Sequence, residues 1–353
     1  MAAKSSSTKL LIVGSVAFDS IETPFGKINK TLGGSASYFS LAAVFFARPS
    51  VVAVVGDDFN DECRAVLKKN NIDLSGLGKT PGRTFAWGGK YSFDLNNRAT
   101  LFTKLGVFEK FRPKLSVKNV QSEYVFLGNI DPALQLDVLS QIQKPKLVGL
   151  DTMNLWIEKT PKQLAAVLKK INIFVINDSE ARELSGHHNL IKGAKVIMEM
   201  MGLSANRILI IKRGEYGLLM FQESSSPVAP KRSLREIAAS PAKASNFAKA
   251  SSDRLAPRND KQSLSIFHLP GYPLEDVIDP TGAGDSFAGG FMGYLAKTND
   301  RSWKNLKRAC VYGSVMASFC CEQLGTKRLQ SLSSADISKR YGQFVQLTNF
   351  SGR

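Results

Sequence analysis

The sequence predicts an α/β fold: a mainly parallel central sheet with helices on both faces, plus a small β lid. Three observations lead there. Short apolar runs alternate with helical patterns along most of the chain, which implies crossovers between parallel strands and a sheet covered on both sides. Residues 84–104 break that rhythm and alternate aromatic with polar residues over Gly and Asn turns, as strands exposed on one face do. Late in the chain, Asp279-Pro280-Thr281-Gly282-Ala283-Gly284-Asp285 runs straight into an apolar helical stretch, Phe287 to Leu295.

Taken in order, Lys9 to Val16 reads as a buried strand that ends in a turn and Asp19. Ser35 to Ala47 follows the pair Gly33-Gly34 and is apolar on most faces, the pattern of a core helix. Val51 to Val55 is a second strand and Phe59 to Lys69 a helix with one polar face. Further strands are expected at Tyr124 to Leu127, Lys146 to Leu150, Ile171 to Ile176 and Arg207 to Ile211. Helices lie between them at Pro132 to Gln143, Pro161 to Lys169, and Ser179 to Met201 with a break near Gly186. Together with 18–33, segment 84–104 is expected to form the lid; a merely decorative hairpin is the alternative. Glu223 to Gln262 is rich in Ser, Ala, Pro, Lys and Arg without periodicity, so it cannot bury enough to offset its ordering entropy. It reads as a flexible insert between strands Gly217 to Phe221 and Ser265 to Leu269 of one domain spanning 1–353.

Composition narrows the classes. A chain of 353 residues with 43% hydrophobic content can bury a large core. Cys63, Cys310, Cys320 and Cys321 have neither metal-site nor paired spacing, and read as reduced thiols of a cytoplasmic protein. No run approaches the roughly 20 apolar residues of a membrane span, and the first apolar run is too short for a secretion signal. The net charge of +17 invites a nucleic-acid reading, but the charge is scattered, and eight Lys or Arg against three acids fall in Ser224 to Ser263. Without a recognition helix, an RNP-like strand or zinc spacing, specific nucleic-acid binding is not expected.

The Gly-rich turn carries chemistry. A helix opened this way presents unpaired N–H groups and the positive end of its dipole to an anion. Gly282 and Gly284 let that anion approach the backbone. A carboxylate beside the same spot, Asp285, makes sense as a base that takes a proton from a hydroxyl attacking a phosphate. The dinucleotide fingerprint fails because position 287 is Phe287, and the P-loop fails because position 73 is Asp73.

The segment from Asp279 to Gly290 closely resembles the second signature of the PfkB (ribokinase-like) family of carbohydrate and nucleoside kinases. The resemblance extends over about residues 9 to 345, apart from the insert. It implies a ribokinase-like fold, ATP and Mg²⁺ as cofactors with K⁺ as a further candidate, and a small-molecule acceptor. Asp285 would be the catalytic base, and the backbone of Gly282, Ala283 and Gly284 the hole for the transferred phosphoryl group. Asp19 would hold substrate hydroxyls, although an Asp capping a turn explains it equally well. Gly33 and Gly34 resemble the first signature, but Tyr38 stands where the family usually has Asn. Asn177 and Glu180 match an N-x-x-E signature that orders magnesium and its waters; a capped helix with an acidic first turn is the alternative. Lys212, Gly214, Gly217, Thr281 and Gly325 fall at nucleotide-side positions, and Asp279 at a position that borders a monovalent cation. Asn129 and Asn154 end two more strands at the presumed substrate edge, with Trp156 as a wall. The resemblance also admits a homodimer through the lid. A sugar is the expected acceptor, with a nucleoside the alternative and a catalytically silent binding protein the rival from outside the enzyme class.

Overall fold

A computed structural model describes residues 10–202, 207–223 and 264–349. The expected insert, Glu223 to Gln262, lies outside the described residues except for Glu223 itself, which ends a strand.

Among the described residues, thirteen strands run in chain order as β1 (Leu10–Val13), β2 (Ala17–Thr23), β3 (Gly26–Gly33), β4 (Pro49–Val55), β5 (Asp73–Lys79), β6 (Ala86–Tyr91), β7 (Arg98–Lys104), β8 (Tyr124–Leu127), β9 (Leu147–Asp151), β10 (Ile173–Asn177), β11 (Ile208–Lys212), β12 (Leu218–Glu223) and β13 (Leu264–Leu269). Nine form the main sheet in the order β13-β12-β11-β10-β9-β8-β1-β4-β5. Pairing is parallel from β5 to β11 and antiparallel for β11-β12 and β12-β13.

The near-continuous apolar strands are explained by two cores. In β1, Leu10 and Ile12 enter one cluster while Leu11 and Val13 enter the other. Ile173 and Val175 oppose Phe174 and Ile176 in the same way along β10. Successive side chains point to opposite faces, so a sheet covered twice needs apolar residues at every position. Helices Ser35–Ala43, Ala283–Thr298 and Trp303–Cys320 cover one face; Pro132–Gln141, Pro161–Leu168 and Leu190–Met201 contribute to the other.

Several boundaries differ from the sequence expectation. Helix Ser35–Ala43 stops at a turn before Ala47. The helix expected from Phe59 begins at Asp61 because Asn60 caps it, accepting the Cys63 N–H at 2.9 Å. Strand β5 is not anticipated at all. It is the sheet's edge, so its polar and Gly-rich face meets solvent and leaves no apolar run to read. The break at Gly186 is present, with that residue in the left-handed conformation ending helix Asp178–Ser185.

The second sheet has the order β3-β2-β6-β7 and spans the two expected lid segments. Its hairpins are antiparallel, but β2 and β6 pair in parallel, since a long excursion through the main sheet separates them. Its outer strand, β7, is exposed along nearly its whole length.

Candidate active site

Every parallel strand of the main sheet delivers its carboxyl end to one edge, where open α/β sheets bind ligands. Asp151, Asn177 and Lys212 are the last residues of β9, β10 and β11. Asn129 follows β8, and the helix Ala283–Thr298 opens beside them.

That helix begins at Gly282, with φ 77° and no side chain capping it. A Cβ at Gly282 would sit 2.2 Å from Tyr38 Cδ1, so only glycine fits both the conformation and the ring pressed on it. At Gly284 a Cβ would lie 2.6 Å from Lys212 Nζ. The missing side chains therefore let an ammonium and an aromatic ring close on a bare helix start, which favours an anion.

Asp285 stands in the first turn, in an unusually acidic surround. Lys212 Nζ is 3.8 Å from Asp151 Oδ2 and also faces Glu180 and Asp285. Burial alone would lower the lysine's pKa, but these carboxylates outweigh it and raise the value, so the ammonium stays charged. Burial, with the nearby Asp151 charge, pushes Asp285 up to about 7 against the pull of Lys212. Glu180 is likewise raised to about 7, first by burial and then by Asp151. Burial also raises Asp19 to about 7, opposed by the Gly34 N–H. Gly33 permits this close packing, since a Cβ there would meet Asp19 Oδ2 at 2.0 Å.

Asn177 and Glu180 form a reciprocal cap: Asn177 Oδ1 accepts the Glu180 N–H at 2.8 Å, and Glu180 Oε2 accepts the Asn177 N–H at 3.1 Å. Asp279 is a backbone staple, accepting Thr281 N–H at 2.8 Å and Gly325 N–H at 2.7 Å. The Gly214 and Gly217 turn closes through the Arg213 N–H to the Gly217 carbonyl, 2.7 Å. Asn129 already has both ends of its amide engaged, accepting from Trp156 Nε1 at 2.8 Å and donating to Met153 Sδ at 3.1 Å. Trp156 thus orients Asn129. Asn154, the first residue of helix Asn154–Lys159, is exposed.

The lid reaches this constellation. Tyr91 OH and Thr281 Oγ1 share a 2.9 Å hydrogen bond, and a Cβ at Gly214 would be 3.7 Å from Asn96 Oδ1 at the lid's tip. Arg98 on β7 lies 4.9 Å over the Trp87 ring and bears electrostatically on Asp285, Asp19 and Glu180. Sequence reasoning missed Arg98, which carries no motif, and read Tyr91 only as one of several lid aromatics able to stack on a ligand, not as a hydrogen-bond partner of Thr281; it took Asn154 from a stretch whose central residue here is Asp151.

A bare helix start beside buried carboxylates and one ammonium is an arrangement suited to an anionic ligand. The pfkB family carbohydrate kinase profile matches residues 7–235 and 262–332, so the chain belongs to that family. It is 26% identical over 288 residues to a cytidine kinase from Thermococcus kodakarensis, covering 80% of this chain and 87% of the relative. Its fold resembles the Methanocaldococcus jannaschii nucleoside kinase, an archaeal member of the ribokinase family, with a TM-score of 0.67 at 20% identity over 95% of this chain and 98% of that one. A neighbour from E. coli in complex with ATP and Mg²⁺ gives a TM-score of 0.65 at 16% identity, covering 96% and 99%. The protein is thus a pfkB-family kinase with a ribokinase-like α/β fold. Among the described residues no helix is long and apolar enough to cross a membrane.

Proposed function

We propose that this kinase transfers the γ-phosphoryl group of ATP to a hydroxyl on a sugar-like ring, free or carried by a nucleobase. The likeness to a cytidine kinase favours the nucleoside form, and a free sugar is the second reading, in keeping with the family description. The observation that carries the reaction is Asp285 in the first turn of a helix whose start no side chain caps. Asp285 takes the acceptor's proton as the hydroxyl oxygen forms its bond to the γ-phosphorus; the bond from that phosphorus to the β–γ bridging oxygen breaks, and ADP leaves. Backbone N–H groups of Gly282, Ala283 and Gly284, with Lys212, steady the phosphoryl oxygens.

Asp19 with Gly33 and Gly34 holds the acceptor, and Asn129 and Asn154 border it. Gly214, Gly217, Thr281 and Gly325 flank ATP. The surplus of buried carboxylates over ammonium groups suits a divalent cation, while no cluster of three or more His, Cys, Asp or Glu forms a cage among the described residues. Mg²⁺ would neutralise phosphate charge here, and Asn177 and Glu180 are the residues that would order its waters. Asp279 is the candidate neighbour of a K⁺ ion.

We read the chain as one kinase domain. Its four unpaired cysteines fit a reducing cytoplasm. The open β7 edge, with Leu101 exposed, suits a homodimer through the lid, and sedimentation would test it. The decisive experiment is ATP turnover with separate pools of nucleosides and sugars: turnover in neither pool sinks the kinase reading, and turnover only with sugars reverses the preferred acceptor.

A further inference from the structure

The structure gives Tyr38 a specific setting. The residue lies one turn beyond Gly34 and is only 1% exposed. Its ring rests on the backbone of Gly282, as the 2.2 Å approach of an added Cβ shows. Its hydroxyl is buried with no hydrogen-bond partner, an unfavourable state in a packed interior.

Besides burial, four neighbouring groups bear electrostatically on that hydroxyl: Asp19, Cys320, Asp279 and Tyr91. Three are already committed. Asp279 accepts two backbone N–H groups, Tyr91 is bonded to Thr281 Oγ1, and Cys320 Sγ donates to the Thr281 carbonyl at 3.3 Å. Asp19 remains, a carboxylate that burial has stripped of solvent and that has the Gly34 N–H as its backbone donor. The Tyr38 hydroxyl sits close enough to Asp19 to favour its charged form, yet no hydrogen bond of good geometry joins the two.

We propose that Tyr38 is a positioning residue that donates its hydroxyl hydrogen to Asp19 while its ring fixes the height of Gly282, tying the acceptor's carboxylate to the phosphoryl cradle. Tyr38 acts through these two groups and does not itself touch the reacting atoms.

The inference rests on Asp19 holding the acceptor, and the test separates the two. Steady-state kinetics would use ATP and the best-turned-over member of the nucleoside and sugar pools. Tyr38→Phe keeps the ring on Gly282 and removes one oxygen. It should raise acceptor KM about tenfold, the size of a hydrogen bond to a charged group, with kcat and the KM for ATP within about twofold of wild type. In an Asp19→Asn background the same change should add nothing beyond about twofold, because both substitutions break one interaction. Tyr38→Asn, which also withdraws the ring, should lower kcat in addition. An unchanged acceptor KM in Tyr38→Phe overturns the proposal, as do equal losses for both substrates or full additivity with Asp19→Asn. If Asp19→Asn alone spares acceptor KM, the Asp19 assignment fails first, and the Tyr38 proposal fails with it.

Discussion

Helix Asp178–Ser185 and helix Ala283–Thr298 begin at the same edge of the same sheet, both with acid in the first turn, yet they treat their unpaired amides in opposite ways. The first closes on itself: Asn177 and Glu180 exchange side-chain and backbone hydrogen bonds at 2.8 and 3.1 Å. The second starts on a left-handed glycine with no side chain over it. A capped start has already spent its attraction for an anion, whereas a bare start keeps it for a ligand. In the function we propose, the phosphoryl cradle is therefore assigned to Gly282–Gly284, and Glu180 would contribute only what its cap leaves over, one oxygen and its charge.

The sharpest way to break this comparison is to treat both helices alike. Asp285→Asn should lower turnover by ~10²–10⁴-fold while sparing ATP binding, because a base within reach is lost and the cradle is not. A variant retaining more than about a tenth of wild-type turnover would remove Asp285 from the role of base.

Asp19→Ala comes next. It should raise acceptor KM about ten- to a hundredfold and leave the KM for ATP nearly unchanged, since in the proposed function only the acceptor meets its carboxylate. Equal losses for both ligands would return Asp19 to capping a turn.

Acidity gives a third, smaller lever. Burial raises Asp285 and Asp19 both to about 7, and the roles proposed for them need the deprotonated form. Acceptor kcat/KM should fall about tenfold or more per pH unit below 7 and level off about one unit above it. The stability sign is opposite. A carboxylate whose folded pKa exceeds its unfolded value adds stability below the unfolded value and loses it as pH rises through about 7, so the ligand-free protein should melt lower at pH 8 than at pH 5 on account of this cluster. A flat rate profile between pH 5 and 8 would contradict the burial described here.

Asn177→Ala sharpens the comparison from the closed side. Losing one cap should cost about 1 kcal/mol in denaturant unfolding and far less turnover than Asp285→Asn. Activity losses of similar size in the two variants would mean that the capped helix is as directly catalytic as the bare one. The smallest effect is expected from the insert. Glu223 and Leu264 are paired neighbours across β12 and β13, so a short Gly-Asn turn can replace Ser224 to Ser263. Loop length costs only about 0.6 kcal/mol per doubling, so fold and chemical step should survive. Loss of activity without unfolding would make the insert functional.

How much of this was readable from the residues depends on how local each cause is. The parallel sheet follows from apolar runs and the β-lid from alternation, because both periods are set by backbone geometry. The turn at Gly282 and the cap at Asn177 are equally local, each involving residues within a few positions of one another. Edge strand β5 escaped notice because its exposure is decided by having no neighbour beyond it. The sequence could quote Asp151, Tyr38, Tyr91 and Arg98, but not bring them together. Asp151 meets Lys212 across two strand crossovers, Tyr91 meets Thr281 from the lid, and Tyr38 meets Gly282 between packed helices. The raised pKa values are tertiary as well, since burial and neighbouring charge come from chain segments far apart in sequence. Sequence determined the fold class and the helix start that invites phosphate; only folding decided which carboxylates lose their water, and with which partners.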